Sequence, residues 1–147
     1  MVFTIKKFNE LTPQELYDIL QLRSEVFVVE QDCVYQDLDY KDQLAYHILG
    51  VLDNRIVAYA RLFKSGDYFL KPSIGRIVVK EEFRKLNYGY QLVTNSINYI
   101  ENNLQESNIL ISAQSYLTKF YNSLGFIKIG EEYLEDGIPH IKMEKEL

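Results

Sequence analysis

Tryptophan is missing from these 147 residues, and cysteine, proline and glycine are scarce, at one, three and seven copies. The single cysteine, Cys33, excludes an intramolecular disulfide, and a lone thiol fits a reducing cytosol better than secretion. With so few breakers there is no linker, low-complexity tract or internal repeat, and the elements are expected to connect closely. No run of about 18 apolar residues is available to span a bilayer, and Met1-Val2-Phe3-Thr4-Ile5-Lys6-Lys7 lacks the charged-then-apolar order of a signal peptide. Positive charge is also short: 16 Lys and Arg against 21 Asp and Glu leave a net charge of -5, with no basic stripe to follow a phosphate backbone. No Cys/His cluster has metal-ligand spacing. These absences point to a soluble cytoplasmic protein with no metal, no nucleic-acid partner and no membrane partner.

What is present is a core. Apolar residues make up 47% of the chain, with twelve Tyr and eight Phe among them, and the length suits a single domain over 1–147. A first strand is expected from Val2 to Phe8. Thr12, Pro13 and Glu15 then supply an N-cap, a first-turn proline and a capping box for a helix running through Ile19, Leu20, Arg23 and Phe27. Residues 30–44 form an acidic, irregular stretch. Strands are expected at 46–52, 56–63 and 73–80, the last continuously apolar at Ile77-Val78-Val79, as in a buried central strand. A second helix is expected from about Asn87 to Leu104, a strand at 109–111, a third helix at 115–124, a strand at 126–129, a turn at Asp136-Gly137 and a last strand at 141–144. Strands in a block, then strands alternating with helices, predict a mixed sheet covered on both faces.

The segment richest in chemistry is Ile77 to Leu92, where a buried strand is followed by a loop bearing Arg84 and Lys85 and by a helix opening near Asn87 and Gly89. Unpaired N–H groups at such a helix start, helped by the helix dipole, form an anion site. A plain solvated loop before an amphipathic helix is the competing interpretation.

Arg84-Lys85-Leu86-Asn87-Tyr88-Gly89 resembles the coenzyme A signature of the GCN5-related N-acetyltransferase (GNAT) superfamily: Arg or Gln, two residues, Gly, one residue, then Gly or Ala. Asn87 replaces the first glycine, and asparagine is the non-glycine residue best suited to a left-handed conformation. A second block, Ser112-Ala113-Gln114 followed by Phe120-Tyr121-Asn122-Ser123-Leu124-Gly125-Phe126, is similar to the late motif of the same superfamily. Gln114 stands seven residues before Tyr121, where many relatives carry an Asn that contacts the pantetheine arm. Arg23 to Gln31, Gly75 to Val79 and Tyr133-Leu134-Glu135-Asp136-Gly137-Ile138-Pro139-His140 resemble the ElaA-like branch.

The resemblance implies an α+β fold, an α/β/α sandwich whose mixed, mostly antiparallel sheet splays in a V between two central parallel strands, with helices on both faces. It implies acetyl-CoA as co-substrate and an amine-bearing acceptor. The pantetheine would lie between the strands of Ile77-Val78-Val79 and Ile109-Leu110-Ile111. The pyrophosphate would sit on residues 84–89 with Tyr90 beside it, Gln114 would contact the arm, and Tyr121 would protonate the departing thiolate. Glu30, Asp136 and His140 are candidate bases, directly or through water. Arg61 and Arg76 would bind an acidic group on the substrate or pair with the loop carboxylates, and His47 would belong to strand packing. Dimers are common in the superfamily, so a homodimer stands beside the monomer. Two other functions are carried: a non-catalytic coenzyme A-binding module of the same fold, and a hydrolase using Cys33 with His47 as base.

Overall fold

The computed structural model describes the whole chain, Met1 to Leu147. Seven strands, β1 Val2–Lys7, β2 Tyr46–Leu52, β3 Arg55–Phe63, β4 Ser73–Val79, β5 Ile109–Gln114, β6 Ile127–Glu135 and β7 Ile138–Lys145, form one sheet in the order β1-β2-β3-β4-β5-β7-β6. All neighbours are antiparallel except β4 and β5. Three α-helices, α1 Pro13–Arg23, α2 Tyr88–Asn102 and α3 Thr118–Ser123, complete the fold. No helix is long and apolar enough to cross a membrane.

Strand alternation sorts the core into two layers. Ile48, Ala60, Leu62, Ile111 and Met143 meet Leu92, Ile97 and Ile100 of α2 on one face. Leu49, Tyr59 and Val78 meet Ile19 and Leu22 of α1 on the other. Fully burying each such Leu or Ile contributes about 1.5–3 kcal/mol. Thus the expected sandwich is present.

The capping box of α1 forms as expected: Glu15 N donates to Thr12 Oγ1 at 3.1 Å, and Thr12 N donates to Glu15 Oε1 at 2.8 Å. The α-helical part stops at Arg23, short of the expected Phe27, and the chain continues as a π-helix from Ser24 to Glu30. The wider turn shifts the inward face, so Val26 is buried while Val29 is exposed. Residues 115–117 form a 3₁₀ turn ahead of the shorter α3.

The last two strands are much longer than 126–129 and 141–144. Glu131 and Glu132 fall outside the expected strand, yet they lie in β6, an edge strand whose outer positions face water. An irregularity between Ile129 and Tyr133, with Gly130 at φ +73, absorbs extra residues in β6.

The acidic stretch is not a solvated surface loop. Asp37 and Asp42 are buried and pair with arginines from three elements. Arg23 Nε donates to Asp37 at 2.9 Å and Arg23 Nη1 to Asp42 at 2.8 Å. Arg61 reaches Asp42 at 2.9 Å and Asp39 at 2.6 Å, while Arg76 reaches Asp37 at 2.7 Å. Three arginines and three aspartates thereby cancel, tying loop 31–45 to the sheet. Arg61 and Arg76 are engaged by loop carboxylates, the second of the two expected uses.

Candidate active site

The parallel neighbours β4 and β5 touch only at their beginnings. Ser73 pairs with Leu110, Leu110 N donates to the Pro72 carbonyl at 2.8 Å, and no further pairing follows. The reason lies in β4. Tyr59 opposes Val78 and Arg61 opposes Gly75, so β4 carries an extra residue over that interval, and Arg76 takes a φ of +49 within it. Such a bulge bends and twists its strand, here away from β5. The Arg76 pairing with Asp37 holds the strained residue in place.

The opening is a cleft of about 960 Å³. Ile77, Val78 and Val79 form one wall, and Ile111, Ser112 and Gln114 form the other. The gap therefore runs further along β5 than the expected Ile109-Leu110-Ile111, whose first residues still pair with or lie in the core.

At the end of β4 comes the loop expected to hold an anion. Lys85 and Asn87 both adopt left-handed φ, +64 and +66, on either side of Leu86. Asn87 is the N-cap of α2, and the first bond inside that helix is Gln91 N to Asn87 O at 3.2 Å. The N–H groups of Tyr88, Gly89 and Tyr90 thus lack intrahelical partners at the positive end of a 15-residue helix. Gly89 has ordinary helical φ; a Cβ there would come no closer than 3.7 Å to the Phe120 ring, so the glycine leaves space facing the cleft rather than relieving strain. Lys85, Asn87, Tyr88, Gly89 and Tyr90 line the cleft, whereas Leu86 points to solvent and does not.

Since αL geometry costs a non-glycine residue about 1–2 kcal/mol and asparagine least, Asn87→Gly is expected to be neutral or slightly stabilising. Asn87→Val should lower stability by about 1 kcal/mol or more. Equal denaturation midpoints for all three proteins would contradict this.

Arg84 is directed elsewhere. Its Nε donates to the Val79 carbonyl at 2.9 Å, and its two terminal nitrogens grip Glu30 at 2.5 and 3.0 Å. Glu30 lines the cleft but is held in this pair, which weakens its candidacy as a base.

Tyr121 lies in the core layer of α2, with its ring edge-on to Phe120 and Phe126, and it also borders the cleft. Burial pushes its hydroxyl well above the ordinary tyrosine value, so the proton is retained at neutral pH. His140 borders the cleft from the opposite face: it stands across from Gln114 on β5 and Tyr133 on β6, whereas its neighbour Ile141 packs with Tyr121. His140 Nδ1 lies 2.7 Å from the Ile138 carbonyl, which can only accept, so Nδ1 carries a proton and Nε2 is the ring nitrogen left for other partners. Asp136 is at the hairpin turn, and its carbonyl accepts from Cys33 Sγ at 3.3 Å. Gln114 Nε2 donates to Gln31 at 3.3 Å, linking β5 to the end of the π-helix.

Cys33 and His47 do not form a nucleophile–base pair. Both ring nitrogens of His47 are occupied, by Tyr59 Oη at 2.6 Å and the Asp42 carbonyl at 2.9 Å, and burial with nearby Arg23 and Arg61 lowers its pKa. It belongs to strand packing, as expected. No group of three or more His, Cys, Asp or Glu is gathered as a metal site would require.

One residue at the cleft escaped the sequence: Glu135, whose Oε2 lies 3.3 Å from His140 Nε2. The available signal was the Asp136-Gly137 turn, which as a two-residue hairpin loop sets Tyr133 opposite His140 and Glu135 beside it.

A parallel pair forced open by a bulge, with a helix start presenting unpaired N–H groups at the end of one strand, defines a class. Residues 8–147 match the family model of the acetyltransferase (GNAT) domain, and the chain belongs to this family of acyl-transferring proteins. Among individual relatives, it is 43% identical over 141 residues to the protein ElaA of Escherichia coli, covering 95% of this chain and 92% of that one. The crystal structure of ElaA superposes with a TM-score of 0.92 over 99% of both chains. An acyl-CoA N-acyltransferase from Pseudomonas aeruginosa gives 0.92 at 38% identity, again over 99% of both. A GNAT acetyltransferase from Elizabethkingia anophelis with acetyl-CoA bound shares the fold at 19% identity and a TM-score of 0.66, over 99% of this chain and 98% of that one.

Proposed function

We propose that this protein transfers the acetyl group of acetyl-CoA to a primary amine by direct attack in a ternary complex. The observation that carries this is the splayed β4–β5 pair with Tyr121 on one face of the sheet and His140 on the other. Two groups suited to opposite proton transfers thus flank one opening.

Acetyl-CoA supplies the activated acetyl group and a thiolate leaving group. The pyrophosphate meets the N–H groups at the start of α2 and the Lys85 side chain, and the pantetheine arm lies between β4 and β5, where Gln114 contacts it. A backbone N–H near Val78, beside the bulge, receives the thioester oxygen as it gains charge. His140 Nε2 takes a proton from the incoming amine, in preference to Glu30, which Arg84 occupies, and to Asp136 at the turn. The amine nitrogen bonds to the carbonyl carbon, the carbon–sulfur bond breaks, and Tyr121 gives its proton to the sulfur. Burial makes the Tyr121 phenol a weaker acid, and the same dry cleft makes the expelled thiolate a stronger base, which keeps the transfer feasible.

Gly89→Glu places a carboxylate where phosphate must sit and should weaken acetyl-CoA binding by at least about tenfold in calorimetry. Unchanged affinity in the folded variant would remove the loop from the binding site. The reaction itself is tested with a panel of amines and peptides, scored by release of coenzyme A thiol. Tight binding of acetyl-CoA without thiol release on any acceptor would favour a non-catalytic binding module.

A further inference from the structure

The cleft is lined by four cations other than histidine, and three are already neutralised: Arg61 by Asp39 and Asp42, Arg76 by Asp37, and Arg84 by Glu30. Lys85 remains, beside α2, where phosphate is expected. Of the three lining carboxylates, Glu30 is spent on Arg84, which leaves Glu135 and Asp136 beside β5 and β7. The cleft is thus positive on the β4–α2 side and negative on the β5–β7 side.

Glu135 has a defined position. Ser112 Oγ faces its Oε1 at 3.4 Å and is itself hydrogen-bonded to the Tyr133 hydroxyl, while its Oε2 faces His140 Nε2 at 3.3 Å. The His140 ring is 8% exposed and stacks on Tyr133. With Nδ1 donating to the Ile138 carbonyl, a neutral His140 ring turns the Nε2 lone pair toward this carboxylate, whereas a protonated ring donates to it. Lys142 senses the charge of Glu135, but its ammonium is turned onto the Phe69 ring at 3.7 Å and does not line the cleft. An ammonium group is the ligand that completes this arrangement, because its N–H bonds can meet the carboxylate and the imidazole lone pair together.

We propose that Glu135 selects and positions the acceptor: aliphatic amines bind at Glu135 as ammonium ions, and the same carboxylate holds the His140 ring that removes the proton. This rests on the acyl-transfer reading above. The bound ammonium gives one proton to His140, whose new positive charge faces Glu135. The neutral nitrogen attacks the thioester carbon, the carbon–sulfur bond breaks, the nitrogen loses a second proton to water as the amide forms, and the thiolate gains one from Tyr121. Once Tyr121 and His140 are restored, one proton is released to solvent per amide formed.

The test compares the parent, Glu135→Gln, Glu135→Asp, His140→Gln and the Glu135→Gln/His140→Gln double variant, with an alkylamine as acceptor and the alcohol of equal chain length as a probe lacking charge. The parent should acetylate the amine and show no competition from the alcohol. Glu135→Gln, at a half-exposed site that tolerates the change, should raise the amine KM and lower kcat, with kcat/KM falling on the order of tenfold. The KM for acetyl-CoA should not move, and Glu135→Asp should recover part of the loss. In the His140→Gln background, Glu135→Gln should cost less kcat than it does alone, since the two groups act as a unit. Should His140→Gln not fold, the KM split and the aspartate rescue decide. Amine turnover unaltered by Glu135→Gln, or equal inhibition by the alcohol, overturns the assignment and leaves acyl transfer standing. No turnover by the parent on any amine, with acetyl-CoA still bound, overturns both.

Discussion

Replacing Tyr121 by phenylalanine is expected to reduce turnover by about 10²–10⁴-fold while leaving acetyl-CoA affinity and folding nearly unchanged. The substitution keeps the ring between Phe120 and Phe126 and removes only the hydroxyl at the cleft. Burial holds that hydroxyl protonated, so at neutral pH it is a donor and never a base. Desolvation also makes it a weaker acid, and it delivers a proton only to a strongly basic partner in the same dry environment. A thiolate expelled between β4 and β5 is such a partner. A purely structural Tyr121 would give the opposite pattern, with full activity per folded molecule and a lower melting temperature. A loss of only a few-fold would assign the proton to water. Where no acceptor is in hand, slow hydrolysis of acetyl-CoA offers the same comparison.

The second large effect concerns stability. Arg23 is fully buried between Asp37 and Asp42, with its guanidinium 5.9 Å from the Tyr59 ring. Arg23→Met retains the apolar stem but leaves three carboxylates facing two arginines in a desolvated cluster. Removing one partner of such a network typically costs about 3–5 kcal/mol, because a buried charge is left uncompensated. Urea denaturation should show a loss of that order; a change below about 1 kcal/mol would contradict the account. The same cluster sets an acid limit. Burial opposes the charged form of Asp39, but hydrogen bonds and charge from Arg61 outweigh it and hold the carboxyl down at about 2. Asp42 is lowered as well, against its burial, by Arg23 and Arg61. A depressed folded-state pKa stabilises above the unfolded value and loses that contribution as pH falls through the folded value. For Asp39 the loss falls between about pH 4 and pH 2, and titration of stability across that window should show it.

The sequence made local chemistry legible and hid what depends on distant pairing. The α1 capping box and the left-handed Asn87 follow from a few adjacent residues, and both are present. The π-helix at 24–30 was hidden because Ser24 to Glu30 continues a helical pattern, and nothing local demands the wider turn. Glu131 and Glu132 concealed β6, since charge argues against a strand unless the strand lies at an edge, which is a property of topology. The arginine–aspartate cluster joins residues 14 to 39 positions apart, so Asp37, Asp39 and Asp42 could only be seen as acidic. In the site, the loop around Asn87 was marked by its strand–loop–helix order, and Tyr121 by the resemblance to the GNAT late motif. Preferring His140 to Glu30 as the proposed base required knowing that Arg84 turns back to Glu30. Glu135 emerged only once the β6–β7 register was known.

The most direct measurement is the mass of the acceptor after incubation of the protein with acetyl-CoA and an alkylamine. The account predicts an amine heavier by one acetyl group, formed in proportion to free coenzyme A released and lost in the Tyr121→Phe protein. Coenzyme A released with the amine unchanged in mass, or no release at all while acetyl-CoA remains bound, would contradict it.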